Sequence, residues 1–139
     1  MNGPAASRPR LAVGLGCDRD TPVATVALAL DEALMRIGAT PADIAAVASI
    51  ALKSDEPALH ALARRYGWTI RFYPAEALAA VQVPNPSETV RRHTGTPSVS
   101  EAAALLAAGA DLSALVVEKH RLRGPDGRNA TISIARIPE

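Results

Sequence analysis

Four consecutive polar residues, Lys53-Ser54-Asp55-Glu56, separate two apolar runs in the stretch IALKSDEPAL (residues 50–59). Only 21% of the chain is charged, so a lysine and two acids at one turn call for an explanation. A lysine placed where a buried strand leaves the core needs a partner for its ammonium, and an anionic ligand is one such partner. Asp55 and Glu56 have an ordinary use near a helix amino end, where the dipole favours negative charge. Lys53 and Glu56 would equally serve acid–base chemistry in a site that shifted their pKa values. Cys17 stands at the end of VGLGC, ahead of a helix start, where a dipole can lower a thiol pKa and create a nucleophile. The competing use of Cys17 is as a small packed thiol. A nucleophile also needs a base within reach, and His60, His93 and His120 are too scattered for any of them to be placed beside it.

Gly14-Leu15-Gly16 follows an apolar run, but Arg19, not glycine, stands three residues after Gly16, and no Gly-Lys-Ser/Thr ending follows. The pattern therefore misses both dinucleotide and P-loop motifs. The two glycines read as turn residues, with close approach of a ligand to the backbone as a second use. One cysteine and three isolated histidines lack the short paired spacing of a zinc site, so no metal site and no cofactor are predicted. Arg91, Arg92 and His93 fit a solvated helix face. Arg121, Arg123 and Arg128 fall in a basic loop that could reach over a neighbouring pocket to hold carboxylates.

The elements that must position these residues alternate in type. LAVGLG (11–16) is a glycine-bounded strand, and Thr21-Pro22 opens a helix with Val23, Val26, Ala27, Leu30 and Leu34 on one side, ending near Gly38. Thr40-Pro41-Ala42-Asp43 has the form of a capping box, and 44–52 is a continuous apolar run, as in a strand covered on both faces. Pro57 starts a helix to Gly67, WTIRFY (68–73) is a third strand, and Pro74-Ala75-Glu76 begins another helical turn. VPNP (83–86) is a rigid connector leading to a helix start at 85–88. Ser98-Val99-Ser100-Glu101 is a second capping box, heading an Ala-rich helix to Gly109. ALVVEKH (114–120) and ATISIARI (130–137) flank the turn-rich RLRGPDGRN, which makes them an antiparallel hairpin. The predicted fold is α/β, a three-layer sandwich with a mostly parallel central sheet and a C-terminal antiparallel hairpin. Residues 1–9 are expected to be a flexible tail and 10–139 a single domain.

Composition narrows the function classes. The 139 residues are 48% hydrophobic, enough for a core, and a net charge of +1 with 3% aromatics argues against nucleic-acid binding. No stretch approaches the roughly 20 apolar residues of a membrane span, and residues 1–10 lack the apolar segment of a secretory signal. A lone cysteine forms no internal disulfide. A cytoplasmic protein without membrane association is expected.

Three stretches, VGLGCDRDTP, SIALKSDEPAL and VPNPSETVRRHTGTPSVSEAAALLAAG, together resemble the CobE/CbiG C-terminal domain family of cobalamin biosynthesis, and TISIAR near the end fits as well. The likeness runs over roughly residues 10–137. The family's Gly-x-Gly-Cys element falls on Gly14, Gly16 and Cys17, and its Lys-x-x-Glu-Pro element on Lys53, Glu56 and Pro57. Its Pro-x-Pro-Ser element falls on Pro84, Pro86 and Ser87, and Gly-Thr-x-x-Val-x-Glu-Ala on Gly95, Thr96, Val99, Glu101 and Ala102. Lys119 corresponds to the lysine closing the penultimate strand, although Glu118 stands where the family pattern has proline. The likeness is to the short members that carry only this C-terminal part. Longer members of the anaerobic pathway are linked with opening the δ-lactone of cobalt-precorrin-5A, which releases acetaldehyde.

The resemblance implies a role in corrin-ring assembly, with a precorrin as ligand. Precorrins carry many acetate and propionate groups, and the strand carboxyl-terminal edge of an open α/β sheet, with its helix amino ends, suits such anions. The expected ligand-binding residues are Gly14, Gly16, Cys17, Lys53, Glu56, Lys119 and the hydroxyls of Thr96, Ser98 and Ser100. If the site is catalytic, a hydrolase or other precorrin-modifying activity would use Lys53, Glu56 or Cys17. Docking onto other enzymes of the pathway, such as a methyltransferase, is a third reading.

Overall fold

The computed structural model describes residues 10–139; the expected tail at 1–9 lies outside the described residues. Strand β1 (Leu11–Cys17) shows how the first layer is built. Successive side chains of a strand face opposite sides of a sheet. Leu11, Val13 and Leu15 enter the larger core with α1 (Val23–Met35) and α2 (Pro57–Tyr66), while Ala12 packs among Ala104, Leu105 and Ala108 of α5 (Val99–Ala108). Large residues on one face and small ones on the other let the Ala-rich α5 lie close against the sheet. Gly14 marks the closest approach: a Cβ there would stand 1.9 Å from the Ser100 carbonyl oxygen and 2.7 Å from the Ala104 nitrogen.

The five strands are ordered β3-β2-β1-β5-β4. Strands β2 (Ile44–Ile50) and β3 (Ile70–Tyr73) extend the sheet in parallel on one side of β1. On the other side β5 (Asn129–Arg136) pairs antiparallel with both β1 and β4 (Leu115–Arg123). The sheet is thus mixed and matches the expectation of a mostly parallel one only in part: β3, β2, β1 and β4 run in one direction and β5 alone is reversed. The hairpin was foreseen, but its second strand inserts between β4 and β1, so the reversal enters two pairings instead of one. Helices α1 and α2 cover one face, and α5 with α3 (Ala75–Ala79) the other, giving the expected three layers.

Local chemistry sets the boundaries. The Thr40 side chain and Asp43 form the capping box read from the sequence, with the Thr40 N–H donating to Asp43 Oδ2 at 2.9 Å. Strand β2 stops at Ile50, and Ala51–Lys53 turns as a single 3-10 helix, so Lys53 lies just beyond the strand. Strand β4 runs on to Arg123, which places Arg121 and Arg123 in a strand and not in the expected loop. The capping box predicted at Ser98 does not form: the Ser98 side chain makes no cap bond, and Glu101 turns to Asn85 instead. Helix α4 (Glu88–Thr94) does start where the sequence placed it, Ser87 Oγ accepting from the Val90 N–H at 3.3 Å. No helix among the described residues is long and apolar enough to cross a membrane.

Candidate functional site

Pairing between β1 and β2 ends at Gly14–Ala48, while pairing between β1 and β5 continues to Cys17–Ala130. Beyond that point, at the carboxyl ends of β1, β2 and β4, a cavity of about 330 Å³ opens on the α5 side of the sheet. Its floor is Gly16, Ile50, Val99, Ser100 and Thr131. Helix α4 closes one wall with Thr89, Val90, His93 and Thr94. Lys53, Lys119 and Arg121 supply three cations, and Asp18 is the single carboxylate among the lining residues. Asp18 is already engaged, its Oδ2 accepting from the Asn129 backbone N–H at 2.7 Å and side-chain Nδ2 at 3.1 Å. Lys53 and Arg121 have no ion-pair partner among the described residues. The cavity is therefore cationic with an apolar floor, which suits an anionic ligand with an apolar body.

Glu56 is wholly buried and stands behind the site, outside its lining. Its Oε2 accepts from the Asp20 N–H at 3.0 Å, and its Oε1 from Arg19 at 3.1 Å. Asp20 has φ of +64°, a left-handed conformation uncommon for a non-glycine residue, so this bond holds a conformation that would otherwise be unfavourable. Arg19 also donates to Asp55 Oδ1 at 2.8 Å and to the Leu52 carbonyl at 2.7 Å. Asp55, for which the sequence suggested a use at the helix amino end, is thus an ion-pair partner, and Arg19 holds its carboxyl below the ordinary range. This network ties the β1–α1 loop, carrying Asp18, to the turn that carries Lys53.

Glu101 repeats the device on the opposite side. It too is fully buried, and its oxygens accept from the Asn85 backbone N–H at 3.3 Å and side-chain Nδ2 at 2.6 Å. The Asn85 carbonyl in turn accepts from Lys119 Nζ at 3.3 Å. Burial lowers the pKa of the Lys119 ammonium, the nearby Glu101 charge opposes that shift, and Arg121 adds to it.

Of the residues singled out from the sequence, the structure brings Gly16, Cys17, Lys53, Ser100 and Lys119 to the cavity wall. Gly14, Glu56, Thr96 and Ser98 do not line it. Gly14 is spent on contact with α5. Thr96 and Ser98 are completely buried, and their hydroxyls have no hydrogen-bond partner among the described residues. Ser100 Oγ pairs with Ser133 Oγ at 2.8 Å. Burial pushes the Cys17 thiol up to about 11, Glu56 and Asp18 adding to the effect and Lys53 opposing it, so Cys17 is a neutral thiol near neutral pH. Arg121 and His93 line the cavity although the sequence placed them in a loop and on a solvated helix face. The two-residue spacing of Lys119 and Arg121, which puts both on one face of a strand, was the available signal for Arg121.

The arrangement defines a class: a three-layer α/β protein with a cationic cleft at its strand ends. The chain belongs to the family described as Cobalamin synthesis G C-terminus, whose model matches residues 11–135. It is therefore a member of a cobalamin-biosynthesis family. Protein CobE of Sinorhizobium sp is 40% identical over 111 residues, covering 78% of this chain and 71% of that protein. The cobalt-precorrin-5A hydrolase of Priestia megaterium is 37% identical over 132 residues, covering 94% of this chain. The chain spans only 33% of that hydrolase. Among solved structures, CobE from the cobalamin (vitamin B12) biosynthetic pathway superposes with a TM-score of 0.79 at 32% identity, 98% of each chain being covered. The cobalamin biosynthesis protein chiG of Agrobacterium tumefaciens superposes with a TM-score of 0.64 at 30% identity, covering 93% of this chain and 99% of that one.

Proposed function

We propose that the strand-end cavity binds a precorrin intermediate of corrin-ring assembly through the carboxylates of its acetate and propionate side chains. The observation that carries this reading is the charge of the lining: Lys53, Lys119 and Arg121 face one carboxylate, Asp18, which Asn129 already occupies. About 330 Å³ lies at the low end of the roughly 300–1,000 Å³ of small-molecule sites, so the cavity takes an edge of the macrocycle with its acid groups and not the whole ring. Binding is favoured over catalysis because the two most chemical-looking groups are committed elsewhere. Glu56 is buried behind Arg19 and Asp20, and the Cys17 thiol, pushed up to about 11, is a poor source of thiolate.

Titration of the protein with a precorrin, followed by its absorption spectrum, tests the reading. A hydrogen-bonded charge pair is worth about 1.5–3 kcal/mol, so Lys53→Ala and Lys119→Ala should each weaken binding roughly 10- to 100-fold with the fold intact. No spectral change at micromolar protein, or lysine variants that bind as the parent does, would refute it. Turnover of the intermediate that depends on Lys53 would replace binding with catalysis at the same cavity.

A further inference from the structure

The two glycines of Gly14-Leu15-Gly16 do different work. Both face α5, two residues apart on β1. At Gly14 a Cβ would collide with the α5 backbone, so packing alone requires glycine there. At Gly16 nothing among the described residues requires it. The φ of Gly16 is not in the left-handed region, and a Cβ would meet only Val99 Cγ1 and Thr131 Cβ at 3.9 Å and the Thr131 carbonyl oxygen at 4.0 Å, ordinary van der Waals distances. Glycine inside a strand weakens it relative to alanine, since it gains backbone freedom on unfolding and packs no side chain. Here that loss has no return within the folded chain. Gly16, Val99 and Thr131 are all cavity-lining residues, so an added methyl would stand in the cavity floor.

We infer that Gly16 is a specificity-determining residue, its missing side chain forming a slot between Val99 and Thr131 that receives the apolar edge of a tetrapyrrole against the β1 backbone. This rests on the proposed binding of an acid-bearing tetrapyrrole and adds where its ring sits. The cations stand around the slot: Lys53 on the turn after β2, and Lys119 and Arg121 on β4. A ligand with carboxylates on its periphery and carbon framework inside satisfies both features, whereas a small polar polyanion would use the cations and leave the slot unfilled.

The test uses uroporphyrin I, an eight-carboxylate tetrapyrrole with a strong absorption band, with the full chain as parent, Gly16→Ala and Gly16→Val. Melting temperature is measured alongside the dissociation constant. One methylene too many in a shaped pocket costs about 10- to 200-fold in discrimination. The expected result is a melting temperature unchanged or raised in Gly16→Ala, with uroporphyrin binding weakened at least about tenfold, and more severely in Gly16→Val. Adding Val99→Ala to Gly16→Ala should recover part of the loss by moving back the facing wall. If Gly16→Ala binds as tightly as the parent, the slot is refuted while the tetrapyrrole-binding reading survives. If Gly16→Ala melts lower, Gly16 is a packing glycine like Gly14 and the inference also falls. If the parent itself does not bind uroporphyrin I, both the slot and the tetrapyrrole reading beneath it are overturned.

Discussion

Among the described glycines, Gly14 is the one where an alanine Cβ would meet the closest contact. The added Cβ would stand 1.9 Å from the Ser100 carbonyl oxygen and 2.7 Å from the Ala104 nitrogen, both backbone atoms. No rotamer relieves the contact, so α5 as a unit must withdraw by about 1 Å or more before the distance reaches 3.0 Å. Its buried Ala102, Ala103, Ala104 and Leu105 would withdraw with it from β1, β2 and β5. A gap of 0.5–1 Å already forfeits roughly a quarter to a half of each dispersion contact it opens. Ordinary overpacking costs about 1–3 kcal/mol when side chains can yield, and here only the helix can. A loss of about 3 kcal/mol or more is therefore expected, against a total stability of roughly 5–15 kcal/mol for a domain. Urea unfolding followed by far-ultraviolet circular dichroism should show the midpoint falling accordingly, with a melting temperature lower by about 10 °C. A variant within about 0.5 kcal/mol of the parent would refute the claim that α5 rests on the β1 backbone at this point.

Two further outcomes follow from the groups around the cavity. Glu56→Ala removes the acceptor of the Asp20 N–H and of Arg19 from a fully buried position, so it should cost about 3 kcal/mol in urea unfolding, and Glu56→Gln, which keeps one acceptor, clearly less. The Cys17 thiol, pushed up from 9.0 to about 11, stays protonated in the folded state while an unfolded chain would ionise; stability from this group is complete below about pH 9 and lost as pH rises toward about 11. Alkylation of Cys17 by iodoacetamide at pH 8 should accordingly be far slower than that of a free thiol, and Cys17→Ala should flatten the alkaline fall in melting temperature.

The fold was largely legible because periodicity and punctuation carried it. The alternation of strands and helices, the start of α2 at Pro57, the Thr40–Asp43 capping box and the final hairpin all follow from local rules. Strand order did not. Nothing in ATISIARI says that it slips between β4 and β1, because that is a long-range pairing set by which apolar faces meet. The site divided along the same line. Lys53 was legible from one charge out of place at a strand exit. Arg121 was misplaced because the end of β4 has a polar, turn-like composition although it remains paired with β5. The capping box at Ser98 failed because a tertiary acceptor role, holding Asn85, outcompeted a local one for Glu101.

The residues that look most chemical in the sequence are mainly scaffolding, and the charge distribution explains why. Glu56 and Glu101 are buried, and a buried carboxylate persists only where donors satisfy it; each has backbone and side-chain donors drawn from a loop beside the cavity. Each acid therefore fixes a loop, one carrying Asp18 and the other supplying the carbonyl that holds Lys119. The cations are treated differently. Lys53 and Arg121 line the same cavity without an ion pair among the described residues, although the charge of Lys53 helps hold the Asp55 carboxyl low. The buried acids are thus satisfied within the fold, while Lys53, Lys119 and Arg121 of the cavity form no ion pair among the described residues, and the proposed anion binding rests on that imbalance. That asymmetry makes the cavity, and not the Lys53–Glu56 pair by itself, the place where the proposed binding is to be tested.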